Sequence, residues 1–195
     1  MLRRTTMLVF AAFYAADAYC DDQSIALHVG DPCPKISVET DQGQTLEIAD
    51  YIGDHKIVLF FYPADMTQVS TVQAREFQKQ LEEFEAAGTM IIGVSGDTVA
   101  NHKVFRQKNQ LTFPLIADPK GTISKAFGVP VRRGGRIVRK INGSRKAFQR
   151  GITAGRWTFV VGLDGRIIHK DTNVDARKNS DSVLKVVRQL TVAAD

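Results

Sequence analysis

Cysteine is scarce in this chain, with two residues, Cys20 and Cys33, among 195. Two cysteines cannot form the several disulfides that hold small secreted scaffolds together, so that class of protein is excluded. The four histidines share no spacing that is typical of metal ligands: His28, His55, His102 and His169. The sequence therefore predicts neither a metal site nor a bound cofactor.

Long apolar runs are also missing, except near the start of the sequence. Arg3 and Arg4 precede an apolar stretch over residues 7–16, which leads into the A-x-A pattern Ala16-Asp17-Ala18. This stretch is too short to span a bilayer. Its layout predicts a signal peptide over residues 1–18 and a protein of the secretory pathway, periplasmic or extracellular. The alternative is a mitochondrial or plastid presequence, because arginine and threonine come before any acidic residue.

Acidic residues are absent between Asp118 and Asp164, where eleven lysines and arginines lie. The rest of the chain holds 15 basic and 21 acidic residues, so the net charge of +5 comes from this region. We interpret residues 131–150, the basic segment, as a loop insertion. It is either a patch for an anionic partner (nucleic acid, lipid or an acidic protein) or a solvated flexible insertion. Its Asn142-Gly143-Ser144 triplet is a glycosylation sequon, which applies only on a eukaryotic secretory route.

Apolar periodicity and turn residues predict alternating strands and helices in one domain over residues 29–195. The predicted strands cover residues 36–38, 45–48, 56–62, 90–95, 113–116, 157–161 and 166–169. The predicted helices cover residues 70–87, 99–108, 123–127 and a C-terminal segment from Val183 to Leu190. This order predicts an α/β fold with a central mixed sheet flanked by helices and an N-terminal β-hairpin extension.

The stretch FYPADMTQVST, residues 61–71, leaves a buried strand, passes Pro63 and Thr67, and enters a helix at Ser70. A helix start has unpaired backbone N–H groups and a positive dipole end, which lower the pKa of a thiol there and favour its thiolate. A serine hydroxyl stays protonated in that place and has no counterpart of the sulfenic acid that a thiol forms. The stretch therefore has the layout of a nucleophile site without its thiol.

Two segments resemble motifs of a known family. Pro63-x-x-x-Thr67-x-x-Ser70 is similar to the P-x-x-x-T-x-x-C motif of peroxiredoxins, and Arg156-Trp157-Thr158-Phe159 is similar to their R-x-T-F strand. The resemblance covers residues 29–190 and is closest to the Q-type, bacterioferritin-comigratory subgroup. Other matching segments are Gly30-Asp31-Pro32-Cys33-Pro34, Ser95-Gly96-Asp97, Phe113–Asp118, Phe127–Pro130 and Asp164-Gly165.

This resemblance implies a thioredoxin-like fold and, in active members, reduction of hydroperoxides with electrons from a thioredoxin-like reductant. In such a site Thr67 and Arg156 would bind and polarise the peroxide, Pro63 would shield it from water, and position 70 would attack. Ser70 replaces the peroxidatic cysteine, and Arg75 replaces the resolving cysteine that many Q-type members carry five residues later. The sequence therefore predicts a monomeric or homodimeric peroxiredoxin whose thiol-peroxidase activity is absent or strongly impaired.

Three explanations of Ser70 remain open at this point. The protein is a natural member that lost its peroxidase activity, or it is a variant made by a Cys→Ser change, or another thiol acts instead. Only Cys33 is available for the last role, and it can equally be a small apolar residue in place of an alanine. The alternative function is that of a non-catalytic thioredoxin-fold module that binds a partner through the basic segment.

Overall fold

The computed structural model describes residues 27–192 of the chain. The predicted leader over residues 1–18 and Cys20 lie outside these residues. Within residues 27–192, no helix is both long enough and apolar enough to cross a bilayer.

Strands and helices alternate through the described residues, as the sequence predicts. The strands are β1 Ser37–Glu39, β2 Thr45–Glu47, β3 Lys56–Phe61, β4 Thr89–Ser95, β5 Leu115–Ala117, β6 Val131–Arg133, β7 Arg136–Ile141, β8 Ser144–Gln149, β9 Ile152–Ala154, β10 Thr158–Val161 and β11 Ile167–Asp171. The helices are α1 Gln68–Lys79, α2 Leu81–Ala86, α3 Val99–Asn109, α4 Thr122–Ala126 and α5 Asn179–Val192, with a 3₁₀ helix at Ile48–Tyr51.

The central sheet has five strands in the order β11-β10-β3-β4-β5. Strands β3, β4 and β5 are parallel, whereas β10 runs antiparallel to β3 and β11 antiparallel to β10. Every residue of β3 is buried, because the strand lies in the middle of the sheet with side chains covering both faces. The predicted α/β fold with a mixed sheet is confirmed, and β1 pairs with β2 as the predicted N-terminal hairpin.

Two apolar clusters cover the two faces of this sheet. One contains Ile57, Leu59 and Phe61 of β3 together with α4 and the N-terminal hairpin. The other contains Val58 and Phe60 together with α1, α2, α3 and α5. Alternate residues of a strand point to opposite faces, so a single apolar run supplies both clusters. The strand is thereby fixed, and the loop that follows it starts from a rigid support.

The predicted helix over residues 70–87 is two helices, and this prediction is wrong in its middle. Gln80 leaves the helical conformation with φ −103° and ψ 10°, and its N–H bonds to the Phe77 carbonyl three residues earlier at 3.3 Å. Phe77 and Phe84 are nevertheless both buried on the same side. The apolar periodicity continues across the break, which is why it does not reveal the break.

The basic segment forms β-strands, so its interpretation as a loop insertion is wrong in secondary structure. Strand β6 pairs with β9, while β7 and β8 form a hairpin in which Arg136 faces Gln149 and Ile141 faces Ser144. Asn142 and Gly143 make the turn with φ values of 49° and 84°, as a type I′ hairpin turn requires. Three apolar residues of the hairpin attach it to the second cluster: Ile137, Ile141 and Phe148. Ile137 and Ile141 lie four residues apart on one face of β7, and the Asn142-Gly143 turn was the signal for a hairpin.

Candidate active site

The candidate site lies at the edge of the sheet where the parallel strands end. The loop over residues 62–67 leaves the carboxyl end of β3 and leads into α1. Strand β10 runs antiparallel, with Thr158 opposite Phe60, so the residues just before β10 reach this same edge. Ligands of open α/β sheets bind at this edge, because the loops there converge while the strands hold them in place.

Ser70 lies in the first turn of α1, which begins two residues earlier than the sequence predicts, at Gln68. As the third residue of the helix, Ser70 has a backbone N–H with no carbonyl partner within α1. Its side chain is only 1% exposed. The positive end of the helix dipole therefore lies beside a buried hydroxyl group, in the position where a thiolate would be stabilised.

Arg156 approaches Ser70 from the segment between β9 and β10. Its Nη2 donates to Ser70 Oγ at 3.4 Å, and its Nη1 donates to Gln73 Oε1. Burial lowers the pKa of the guanidinium from its usual value, but an arginine still keeps its proton at neutral pH. A fixed positive charge therefore faces the hydroxyl group of Ser70.

A buried network holds this arginine. Gln73, one helical turn after Ser70, donates through Nε2 to Asn179 Oδ1 at 2.8 Å. The same oxygen of Asn179 accepts from Thr158 Oγ1 at 3.0 Å. The network joins α1, α5 and β10 around the guanidinium, so the position of Arg156 depends on three separate elements.

Thr67 and Pro63 both lie in the loop that leads from β3 into α1. Thr67 is the residue before α1, and its Oγ1 donates to the Ala64 carbonyl at 3.0 Å instead of capping the helix. That hydroxyl oxygen therefore still has lone pairs that can accept a hydrogen bond. Pro63 is half-buried two residues after the end of β3. Met66, between them, has a left-handed backbone with φ 58°.

Beneath the loop lies a buried cluster that sequence reasoning missed. Asp65 accepts hydrogen bonds from Tyr62 Oη at 2.9 Å and faces His102 Nδ1 at 2.8 Å. The other ring nitrogen of His102 faces the Ile116 carbonyl at 3.1 Å. The backbone N–H of Asp65 donates to Asp97 Oδ2 at 2.8 Å. These contacts tie the loop to β4, α3 and β5, so they position the residues that lead to Ser70.

The charges in this cluster depend on one another. Burial alone lowers the pKa of His102, but the nearby Asp65 carboxylate and the Ile116 carbonyl outweigh burial and raise its pKa overall. Burial, followed by the nearby charge of Asp65, raises the pKa of Asp97. Since both ring nitrogens of His102 face acceptors, the protonated ring is the form that satisfies the site.

We expect His102 to stabilise the protein most at acid pH. A folded-state pKa above the ordinary value of about 6.5 gives full stabilisation below about pH 6.5 and progressively less as the pH rises through the raised pKa. In urea unfolding, the advantage of the wild type over His102→Gln should therefore shrink as the pH rises above about 6.5. The exposed His55, changed to Gln, is the control. An advantage that stays constant or grows with pH would contradict the role of the protonated ring.

Cys33 lies at the opposite end of the sheet from Ser70. Its N–H donates to the Gly165 carbonyl at 2.8 Å, in the turn that follows β10. Because Val161, at the end of β10, faces Ile57 near the start of β3, this turn lies at the amino edge of β3. The two edges are separated by the length of β3, roughly 15 Å or more at about 3.3 Å per residue. Burial raises the pKa of the Cys33 thiol to about 11.

Arg75 stands on the exposed side of α1, where the resemblance places a resolving cysteine. Its Nε donates to Asn109 Oδ1 at 3.0 Å. Sequence reasoning thus identified Pro63, Thr67, Ser70 and Arg156, which the structure brings to one edge. It missed Gln73 and Asn179. Gln73 could have been found from its spacing, because three residues after Ser70 is one turn along the same helix face.

The fold and the site together define a thioredoxin-like α/β protein of the peroxiredoxin class. The model of the AhpC/TSA family matches residues 29–170. Peroxiredoxin Bcp of Bacillus subtilis is 28% identical over 167 residues, which cover 86% of this chain and 99% of that protein. The chain belongs to the AhpC/TSA family, and it is similar to the PrxQ/Bcp type within it.

Solved structures support the same assignment. The Xanthomonas campestris bacterioferritin comigratory protein, whose alkyl peroxide reduction activity has been studied structurally, has a TM-score of 0.67 at 26% identity, covering 83% of this chain and 99% of that one. A cysteine-to-serine mutant of Xylella fastidiosa PrxQ has a TM-score of 0.70 at 26% identity, covering 87% and 98%. The recognition of a peroxiredoxin from its motifs is therefore confirmed.

Proposed function

We propose that this protein keeps the hydroperoxide-binding site of its family but does not reduce peroxides through a thiol cycle. The observation that carries the proposal is the contact between Ser70 Oγ and Arg156 Nη2 at 3.4 Å in the first turn of α1. The site is arranged as for a nucleophile, and its central atom is an oxygen. The thioredoxin-dependent peroxidase activity of the family is therefore not expected of this protein.

The chemistry of the missing step explains the expected loss. A peroxidatic thiolate attacks one peroxide oxygen, forms an S–O bond and breaks the O–O bond, and the other oxygen leaves as water or an alcohol. The resulting sulfenic acid is then reduced by thiols. A serine hydroxyl is protonated at neutral pH and forms no equivalent of the sulfenic acid. The dipole of α1 and the charge of Arg156 do not supply that redox chemistry, since such dipole effects contribute at most ~2 kcal/mol.

The residues that we assign to peroxide binding support this proposal. Arg156 Nη2 and the backbone N–H of Ser70 are donors for the peroxide oxygens, while Thr67 Oγ1 can accept the hydroperoxide proton. Pro63 borders the loop and shields the site from water. We infer that a hydroperoxide binds here without being consumed.

The wild-type protein should show no peroxide consumption above the protein-free rate in the presence of thioredoxin, thioredoxin reductase and NADPH. The reason is that Ser70 cannot be oxidised and Cys33 lies at the other edge of the sheet with a pKa of about 11. The measurement is NADPH oxidation after addition of hydrogen peroxide or an alkyl hydroperoxide. A cysteine-containing PrxQ is the positive control. Consumption by the wild type that disappears in Cys33→Ala would instead establish Cys33 as the working thiol.

A second candidate function is supported by the charge of the basic segment. In the β7–β8 hairpin, Arg136, Lys140 and Arg145 alternate onto one face of the ribbon, and all three are exposed. Among the described residues none of them forms an ion pair. Such a face favours an anionic partner, so this candidate is a non-catalytic binding module.

Heparin-column chromatography tests this second candidate, with heparin as a general polyanion. Changing Arg136, Lys140 and Arg145 together to Gln should move elution to clearly lower salt, because each lost charge removes a salt-sensitive contact. Changing Lys103, Lys125 and Lys185 to Gln removes the same charge elsewhere and is the control. Equal shifts in the two variants would reject a specific role for the hairpin.

We also propose that the protein is exported, with residues 1–18 as the signal peptide. The arginine pair before an apolar stretch and the A-x-A pattern support this. Sequencing the N-terminus of the mature protein from separated cell fractions tests it. A start shortly after Ala18 in the secreted or periplasmic fraction is expected, while a processed form inside mitochondria or plastids would favour the organelle alternative.

A further inference from the structure

A cationic groove lies beside the active-site loop, on the exposed side of α1. It has a volume of about 310 Å³ and runs between α1, the end of α3 and strand β7. Its charged lining residues are Arg75, Lys108 and Arg139, and no acidic residue lines it. Ser70 is not part of the lining, so the groove is separate from the peroxide site. The groove therefore needs an explanation that does not depend on the chemistry at Ser70.

None of these three cations is neutralised by a carboxylate in the described part of the chain. Arg75 uses its Nε on Asn109 Oδ1, at 3.0 Å, and its two terminal nitrogens have no protein acceptor there. Arg139 donates through Nε to the Met66 carbonyl at 3.1 Å and through Nη1 to the Val138 carbonyl at 3.1 Å. The remaining N–H donors of Arg75 and Arg139 lie in the planes of guanidinium groups that these hydrogen bonds hold in place. This planar geometry matches the oxygens of a carboxylate or phosphate.

The position of these charges is unfavourable without an anion. Arg139 contacts the residue that precedes Thr67, so its charge lies next to the positive end of the α1 dipole. Cations are destabilised at a helix start, and the first turn of α1 has no acidic residue to compensate. Arg75 and Lys108 add two like charges around the same groove. A bound anion would offset all of these repulsions at once.

We propose that this groove binds a small multivalent oxyanion, an organic phosphate or polycarboxylate. The groove continues past Arg75 and Lys108 into a more open one of about 420 Å³ that Lys79 also lines, which gives room for a second anionic group. The side chains of Gln68 and Thr71 supply neutral hydrogen bonds to the same space. Arg139 donates a hydrogen bond to the Met66 carbonyl. An anion bound to Arg139 would therefore be linked to the loop that carries Thr67.

Isothermal titration with two probes tests the proposal on the full chain: inorganic pyrophosphate for the phosphate class and citrate for the carboxylate class, both at constant ionic strength. Saturable 1:1 binding of at least one probe is expected, and the tighter probe identifies the class. Arg75→Gln and Lys108→Gln should each weaken binding at least about tenfold, because each change removes a charge-assisted hydrogen bond to the anion. Lys125→Gln, which removes an exposed charge elsewhere, should leave affinity unchanged.

The same titration separates this site from the peroxide site. Ser70→Ala should bind the probe as the wild type does, whatever that variant does with peroxide. In ¹⁵N-labelled protein, the probe should shift the amide signals of Gln68 and Thr71 before those of the hairpin turn at Asn142. Absence of saturable binding of both probes, or equal weakening in Lys125→Gln and the groove variants, overturns the proposal.

Discussion

Replacing Ser70 by cysteine should create a thiol that hydrogen peroxide oxidises at least about 10³-fold faster than Cys33 in the same chain. At pH 7 a thiol with the pKa of Cys33, about 11, is almost fully protonated. An ordinary thiol, with a pKa of about 8.5, has about 300 times more thiolate at that pH. Lower intrinsic nucleophilicity reduces this advantage to about 20-fold.

The rest of the expected 10³-fold gain in oxidation rate comes from the groups around position 70. The start of α1 and the Arg156 guanidinium lower the pKa of the new thiol further, and the guanidinium stabilises charge on the leaving oxygen. Removing one such donor from an enzyme costs about 10²–10³ in rate. Stopped-flow peroxide reduction by Ser70→Cys measures the gain, and Ser70→Ala is the matched control without a thiol at position 70. A Ser70→Cys variant that reacts no faster than Cys33 would show that the site no longer supports the family chemistry.

Changing Arg156 to Met in the Ser70→Cys background should abolish most of this gain. We expect the rate of peroxide reduction to fall about 10²–10³-fold, because the guanidinium is the charged donor that faces position 70. The pKa of the introduced thiol should rise at the same time, because its positively charged neighbour is gone. Thiolate absorbance near 240 nm, followed against pH, measures that pKa.

Arg133→Met in the same background is the control for the loss of one arginine. Arg133 is exposed on β6 and distant in sequence from the loop. Its loss should leave both rate and pKa unchanged, and circular dichroism of both variants verifies the fold. If Arg156→Met reacts at the rate of Arg133→Met, the electrostatic role given to Arg156 is wrong.

The sequence predicted the central sheet because few other folds are compatible with the apolar run of β3 and the alternation of strands and helices. It also predicted the four site residues, but through their resemblance to a motif and not through spacing alone. Arg156 lies 86 residues after Ser70. Only the antiparallel pairing of β10 with β3 brings the two together, and no local pattern encodes that pairing.

The sequence did not predict the break at Gln80, the hairpin of the basic segment or the support of Arg156 by Asn179, and the reason differs for each. The apolar periodicity does not reveal the break at Gln80, because α1 and α2 bury the same side. The many charged residues of the basic segment obscured the apolar pattern of its hairpin, in which Ile137 and Phe148 lie opposite each other and pack against the second cluster. The support of Arg156 by Asn179 joins α1 to the final helix, and a single polar residue near a helix start gives no sign of such a partner.

The location of Cys33 bears on whether its thiol could act in the family chemistry. Its backbone bond to Gly165 places it at the amino edge of the sheet, whereas Ser70 lies at the carboxyl edge. Its half-buried side chain packs against the first apolar cluster, as a small apolar residue would. The geometry therefore favours the structural role for Cys33 over a catalytic one.

Peptide mapping of Ser70→Cys by mass spectrometry, after brief treatment with one equivalent of hydrogen peroxide, tests the central claim within a single molecule. Dimedone trapping would mark each sulfenic acid. We expect label at position 70 and none on Cys33, because only position 70 has the helix start and the Arg156 guanidinium beside it. Label confined to Cys33, or divided equally between the two positions, would contradict the claim that the site is intact apart from its missing sulfur.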